Sequence, residues 1–383
     1  MRNVFIAGAG CTPVREHYDR SLLDLALAAL GSALGDIAPE RVGALYVASA
    51  LGDSLAEQGQ LGAYVAGAAG ITAEAVRVEA AGASGGAALR QGYLAVASGQ
   101  ADLVAVLGVE KVTDKLDSGL QSALALGLDG ALEAAHGLTL AGGWALLMRR
   151  YLHEHGLPAA AFAPFAVNAH ANGAHNPDAL YRFAINAAKW SQAAAVADPL
   201  NMLDCSTLAD GAAAVVLVSE ELARAWEQPP VRIAGSASAA APLALAHRPD
   251  PLSLEAAARS GAAALAQAGL DRAAVDVLEL SDPHGIAAAL ALEALGYAER
   301  GAGTSLGASG AIARDGAIPL ASGGGMKARG DVGGATGVYQ IVEVVRQLRG
   351  AAGPGQIPGA RTGLAQCLGG VGATAVTHVL RAE

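Results

Sequence analysis

Short apolar runs alternate along this chain with stretches in which apolar residues return every third or fourth position. The runs V-F-I-A-G-A from Val4, G-A-L-Y-V-A-S (43–49), D-L-V-A-V-L-G-V (102–109) and A-A-V-V-L-V (213–218) read as strands covered on both faces. So do V-R-I-A-G-S from Val231, V-D-V-L-E-L-S (275–281), T-G-L-A-Q-C-L (362–368) and T-A-V-T-H-V-L (374–380). Between them, the segments opening at Ser21 and Ser253 read as helices with a serine at each N-cap. This alternation predicts an α/β protein.

The pattern also repeats. The strand from Val4 matches the strand from Val231, the helix from Ser21 that from Ser253, and strand 43–49 that at 275–281. Further on, Gly82-Ala-Ser-Gly-Gly-Ala matches Gly330-Asp-Val-Gly-Gly-Ala, each opening a helix rich in small residues. The expectation is a fold of two similar halves, with the two glycine-rich helix starts facing each other across one pocket. Residues 1–110 and 205–228 form the first half and 229–383 the second. Residues 111–204 are an inserted helical and loop-like cap, and an insertion that long within a repeat usually carries function.

Composition narrows the class. Of the 383 residues only 4% are aromatic and 50 are glycine, which favours close-packed helices on a sheet over an aromatic-rich sandwich. A net charge of −10 argues against a nucleic-acid or anionic-membrane surface. An anionic small molecule stays open through local clusters such as Arg149-Arg150 or Lys327 with Arg329. Cys11, Cys205 and Cys367 lie far apart, so neither a disulfide framework nor a cysteine-based zinc site is expected, and no metal is. The N-terminus M-R-N-V-F-I-A-G-A-G lacks a basic region followed by an apolar stretch, and the chain reads as soluble and cytoplasmic.

Four loops would converge at the centre of such a duplicated fold. They are the turn at Gly82, S-D-P-H-G (281–285), S-G-G-G-M-K-A-R-G-D-V-G-G (322–334) and Q-C-L-G-G-V-G (366–372). In this order, together with Y-L-H-E-H-G, A-D-P-L-N-M-L-D-C and G-A-T-G-V-Y-Q, they resemble the thiolase superfamily over essentially the whole chain. The resemblance is strongest to its sterol-carrier-protein-type and archaeal-like acetyl-CoA acetyltransferase branch. It implies a five-layered α-β-α-β-α fold, a homodimer formed largely along a strand near 76–81, and acyl-CoA as substrate or ligand with no other cofactor. Gly324, Gly325 and Gly370 are the expected thioester-binding glycines. A small OB-fold protein with a zinc ribbon is the further partner implied.

The family's nucleophilic cysteine is replaced here by Gly82, the histidine of its G-H-P motif by Asp331, and that of its H-D-x-F motif by Ser281, with Asp282 kept. Cys367 matches the C-terminal catalytic position. A glycine cannot be acylated, and an ionised aspartate repels an oxyanion that a histidine would stabilise. Three readings stay open: an acyl-CoA-binding protein without covalent catalysis, a non-covalent retro-aldolase acting on a β-hydroxyacyl-CoA, and an acyltransferase using Cys367. In the second, Asp331 or Cys367 is the base, His284 or Tyr339 a proton donor, and the amides of Gly82 and Gly370 bind the thioester oxygen.

Each candidate also has an ordinary explanation. Ser281 or Asp331 would cap a helix, His284 would sit on a surface turn, Cys367 would be a small buried residue, and Gly82 would only permit a tight turn. His153 and His155 face different sides of a helix, and His170 and His175 are expected in a solvent-facing loop.

Overall fold

The computed structural model of the chain describes residues 2–115, 117–226 and 229–383, so the outer limits of the first half at 1 and 228 lie outside the described residues. Its strands are β1 (Val4–Cys11), β2 (Ala44–Ala48), β3 (Glu74–Val78), β4 (Leu103–Glu110), β5 (Ala195–Ala197), β6 (Leu200–Asn201), β7 (Gly211–Ser219), β8 (Val231–Ala240), β9 (Val277–Leu280), β10 (Thr362–Gly369) and β11 (Thr374–Ala382). Nine of them run in the order β3-β2-β4-β7-β1-β8-β11-β10-β9, while β5 and β6 form a ribbon in the cap.

The duplication is visible in this order. The run β2-β4-β7-β1 of the first half is mirrored by β9-β10-β11-β8 in the second, and the halves join where Phe5 and Ile6 pair with Arg232 and Val231. The parallel pairs β3·β2, β2·β4 and β10·β9 sit towards the two ends of the order. Among the described residues strand β3 has no full counterpart. Its place beside β9 is taken by a single bridge, Leu278 with Leu320, flanked by Leu278 N donating to Pro319 O (2.8 Å) and Ala321 N donating to Leu278 O (2.9 Å).

Alternation along the strands builds the layers. On β4, Leu103, Ala105 and Leu107 face the outer helices Leu22–Leu34 and Leu61–Ala69, while Val104 and Val106 face inwards. The inner layer is the pair of helices Ser84–Ser98 and Thr336–Leu348, packed between the two parts of the sheet. Helix Glu255–Ala268 covers the outer face of the second half against β8 and β11. The result is the five-layered α-β-α-β-α arrangement of two similar halves. Gly85 and Gly337 let the inner helices touch: a Cβ on Gly85 would lie 2.7 Å from Val338 N, and one on Gly337 would lie 2.6 Å from Gly86 N.

Ser21 caps its helix in a capping box with Asp24, as the pattern predicts. Ser253 does not. Helix 255–268 starts after Leu254, with no side-chain cap, because the chain enters it from a turn at 250–252. In the cap, Trp144, Tyr151 and Phe162 pack on the helix Gly285–Ala294, and Tyr151 Oη donates to Glu293 Oε1 (2.7 Å). Among the described residues no helix is long and apolar enough to cross a membrane.

Candidate active site

Two tight turns start the two inner helices, and their hydrogen bonds define how the halves correspond. In the first, Ala81 has φ +49°, its N–H donates to Glu79 Oε1 (2.6 Å), and Ser84 Oγ accepts from Ala80 N (2.9 Å). In the second, Gly333 has φ +49°, its N–H donates to Asp331 Oδ1 (3.0 Å), and Thr336 Oγ1 accepts from Val332 N (3.1 Å). Glu79 therefore corresponds to Asp331, Gly82 to Gly334 and Ser84 to Thr336. The expected match of Gly82 with Gly330 is four residues out of register. The glycines alone allowed either alignment, whereas the left-handed residue and the capping hydroxyl fix one.

Between these turns lies a cavity of about 90 Å³. Gly82, Ser281, Asp331 and Gly370 line it, joined by Glu79 and by an apolar wall that includes Leu51, Leu124, Trp144 and Leu368. Gly82 needs to be glycine: a Cβ there would stand 2.7 Å from the Leu368 carbonyl oxygen. Ser281 caps no helix. Its Oγ accepts from Leu368 N (2.9 Å), which leaves the hydroxyl proton free to donate elsewhere.

Asp331 is held from three directions, by Gly333 N and Thr336 Oγ1 (3.2 Å) on Oδ1 and by Ser206 Oγ (3.1 Å) on Oδ2. Burial raises its pKa, and those hydrogen bonds only partly oppose the rise. Asp282 stands behind the cavity wall. Its Oδ1 accepts from Met326 N (2.7 Å), and burial pushes its pKa up to about 7. Gly324 and Gly325 do not line the cavity. Both have positive φ and shape the turn that closes over Asp282, whose carboxylate fills the space a Gly325 Cβ would need.

Other expected residues lie elsewhere. Cys367 is 1% exposed and points away from the cavity, opposite Leu368 on β10, with Sγ donating to Gln340 Oε1 (3.0 Å) between Gly86 and Gly337. Burial raises this thiol to about 12. Tyr339 Oη, also buried, donates to Thr12 O (2.9 Å). His284 is no surface residue. It is buried next to Trp144 (ring centroids 6.4 Å apart), and burial with the nearby Lys327 charge depresses its pKa to about 3.

The basic clusters are also occupied. Arg149 pairs with Asp198 and Arg150 with Glu154, while buried Arg329 pairs with Glu343 (2.9 Å) and buried Lys327 donates to Cys205 O (2.7 Å). His170 lies in the helix Ala163–Gly173, buried against Tyr181 and Phe183, instead of in a solvent-facing loop. No metal-binding group of three side chains occurs among the described residues. A larger hollow of about 300 Å³, lined by His175, Asp178, Glu343 and Arg346, contains none of the expected site residues.

Sequence reasoning did not single out Glu110, Trp144 or Glu79. Glu110 is fully buried at the end of β4. It accepts from Ser49 Oγ (2.6 Å), Ala50 N (2.8 Å), Leu51 N (3.1 Å) and Gly334 N (2.8 Å), tying the segment 49–51 to the turn at 333–334, both of which border the cavity. The available signal was a lone acid ending an otherwise apolar strand.

Residues 4–221 match the family model described as Thiolase, N-terminal domain, and residues 237–382 match Thiolase C-terminal domain-like. The chain is 38% identical to an acetyl-CoA acetyltransferase of Methanothermobacter thermautotrophicus, covering 99% of each. It is 31% identical to a 17-hydroxy-3-oxo-4-pregnene-20-carboxyl-CoA lyase of Mycobacterium tuberculosis, covering 91% of this chain and 92% of that one. Among solved structures, the Ltp2-ChsH2(DUF35) aldolase superposes with a TM-score of 0.86 at 28% identity, covering 99% of this chain and 98% of that one. Its two-half architecture, its glycine-rich helix starts and these matches together place the chain in the thiolase superfamily.

Proposed function

We propose that this protein is a CoA-thioester enzyme that breaks a carbon–carbon bond without an acyl-enzyme, as a retro-aldolase on a β-hydroxyacyl-CoA. The observation that carries this reading is the pairing of Gly82 with Asp331. The cavity has no nucleophile at its turn, the nearest matching thiol is walled off, and a buried carboxylate faces the space instead.

In this reading Asp331 takes the proton of the β-hydroxyl. The β-carbon oxygen becomes a carbonyl, the bond between the α- and β-carbons breaks, and its electron pair moves into the thioester as an enolate. Ser281 Oγ–H and the Gly82 amide donate to the enolate oxygen. The proton held by Asp331 then returns to the α-carbon, giving a ketone or aldehyde and a shortened acyl-CoA. Charge balance favours this order: Asp331 is neutral while the enolate exists, so the repulsion an ionised aspartate would impose is absent when it would matter. A pKa raised by burial also makes it a stronger base than an ordinary aspartate.

Lyase and aldolase relatives support the reading, among them a steroid side-chain-cleaving aldolase of Thermomonospora curvata at 30% identity. We further propose a cytoplasmic homodimer formed along the outer edge of β3, where Val76 is 42% exposed, and, from the DUF35-containing aldolase, a DUF35-type partner, which the family resemblance implies is of OB-fold and zinc-ribbon build. The test incubates the protein with short β-hydroxyacyl-CoA thioesters and measures released carbonyl compound and shortened acyl-CoA. Cleavage lost in Asp331→Asn supports the proposal. Thioester binding with no cleavage by the protein alone or with such a partner leaves an acyl-CoA-binding protein, and thiolysis of acetoacetyl-CoA overturns it.

A further inference from the structure

Trp144 lines the cavity from the cap side, on the helix Leu140–His155. It is 1% exposed, and its indole Nε1–H has no hydrogen-bond acceptor. An indole nitrogen can only donate, and a buried donor without a partner costs about 1 to 3 kcal/mol. Trp190 shows how this chain ordinarily meets that demand: its Nε1–H donates to Asp204 Oδ1 at 2.9 Å. The wall beside Trp144 includes Leu124, Leu140 and Leu368, whose side chains offer no acceptor. The neighbouring His284, with ring centroids 6.4 Å apart, does not take this proton, since its Nδ1 is itself without a partner. A buried donor left unpaired at the wall of a cavity calls for an acceptor from whatever fills that cavity.

We propose that the Trp144 indole N–H selects acyl groups that carry an oxygen on the chain, β-oxo or β-hydroxy, over saturated chains of the same length. This rests on reading the cavity as the acyl end of a CoA-thioester site and names the feature of the acyl group that the site recognises. The leucines accept the carbon skeleton equally in both cases. Only the oxygenated chain relieves the buried donor, so discrimination comes from the unpaired N–H that a saturated chain leaves behind.

Acetoacetyl-CoA and butyryl-CoA differ by one oxygen, and without free CoA neither is a substrate for thiolysis or aldol cleavage. Calorimetric titration of the wild-type protein is expected to show acetoacetyl-CoA binding about tenfold tighter, a ratio that corresponds to one hydrogen bond of ~1.4 kcal/mol. In Trp144→Phe the ratio falls to near one. A proton NMR titration of the wild-type protein gives a second readout that needs no variant to fold: the Trp144 indole proton moves downfield with acetoacetyl-CoA and not with butyryl-CoA, while that of Trp190 stays put. Equal affinities in the wild-type protein, or a ratio kept in a folded Trp144→Phe, overturn the inference and leave the proposed cleavage standing. Selective binding without cleavage of β-hydroxyacyl thioesters does the reverse, and failure of both thioesters to bind removes both.

Discussion

Gly82 and Leu368 meet so closely that the first cannot carry a side chain: a Cβ on Gly82 would lie 2.7 Å from the Leu368 carbonyl oxygen. The contact is between the turn and the backbone of β10, which is pinned in turn by Leu368 N donating to Ser281 Oγ (2.9 Å). Restoring the family's cysteine therefore needs a shift of a main-chain oxygen that is itself held.

Gly82→Cys is expected to lower stability by about 1 to 3 kcal/mol, the usual cost of overpacking a well-filled interior. It should give no thiolysis of acetoacetyl-CoA, since the base that would activate the thiol is also missing. Urea unfolding and a thiolysis assay check the two halves of this statement. A variant as stable as wild type with measurable turnover would show that the turn tolerates a nucleophile.

Cys367 should be chemically silent in the folded protein. Its thiol is held near 12 by burial and packed against Gly86 and Gly337. Because the thiolate is the reactive form, iodoacetamide at pH 8 should leave this residue unlabelled in mass spectra of the native protein and label it after unfolding. Cys367→Ala is expected to keep thioester binding and any cleavage activity intact. Loss of activity in a folded Cys367→Ala would return the thiol to the chemistry.

These two residues show what the sequence could and could not convey. The strands, the inserted cap and the duplication follow from apolar runs and their repetition, because burial on both faces of a sheet leaves a strong linear signal. The register between the halves does not, since it rests on Ala81 and Gly333 sharing φ +49° and on the hydroxyls of Ser84 and Thr336. The direction in which Cys367 points is equally hidden: it depends on which face of β10 looks towards the inner helices, and adjacent residues on a strand face opposite ways. Trp144 comes from a cap helix remote in sequence from the four loops around the cavity, so only the packing brings it there.

Asp331 predicts a pH dependence. If it is the base, cleavage requires the carboxylate, so the rate rises with pH through a pKa that burial has moved above the ordinary aspartate value. Asp331→Asn keeps an oxygen to accept from Gly333 N and should lose at least ~100-fold in rate, together with that limb of the profile. A profile of the same shape in the variant, with only a lower maximum, would mark Asp331 as a structural cap.

Glu110 should matter as much for the shape of the site as for stability. Four donors converge on its carboxylate, three of them main-chain amides of Ala50, Leu51 and Gly334. Glu110→Ala leaves these buried donors unpaired and is expected to cost ~3 kcal/mol or more, while Glu110→Gln keeps part of the set and costs less. Denaturant melts rank the two. A neutral Glu110→Ala would mean that water replaces the carboxylate, and that the walls around Gly334 do not depend on it.

His284 ties stability to pH with a definite sign. Its pKa falls from 6.5 to about 3 on folding, because burial and the Lys327 charge both disfavour the imidazolium. Above pH 6.5 the ring is neutral in both states and contributes no pH-dependent term. Below it, the unfolded chain takes up a proton that the folded chain refuses, so stability is lost progressively as the pH falls towards 3. Asp282 runs the other way: its pKa is raised to about 7 on folding, so lowering the pH favours the folded state through that group. Asp282 is present in both wild type and His284→Phe, so the difference between the two proteins brings out the histidine. The variant should gain on wild type as the pH drops from 7 to 4, by ~3 kcal/mol at the acid end. Parallel stability curves across that range would mean that His284 accepts its proton within the fold, and that the space beside Trp144 is open to water.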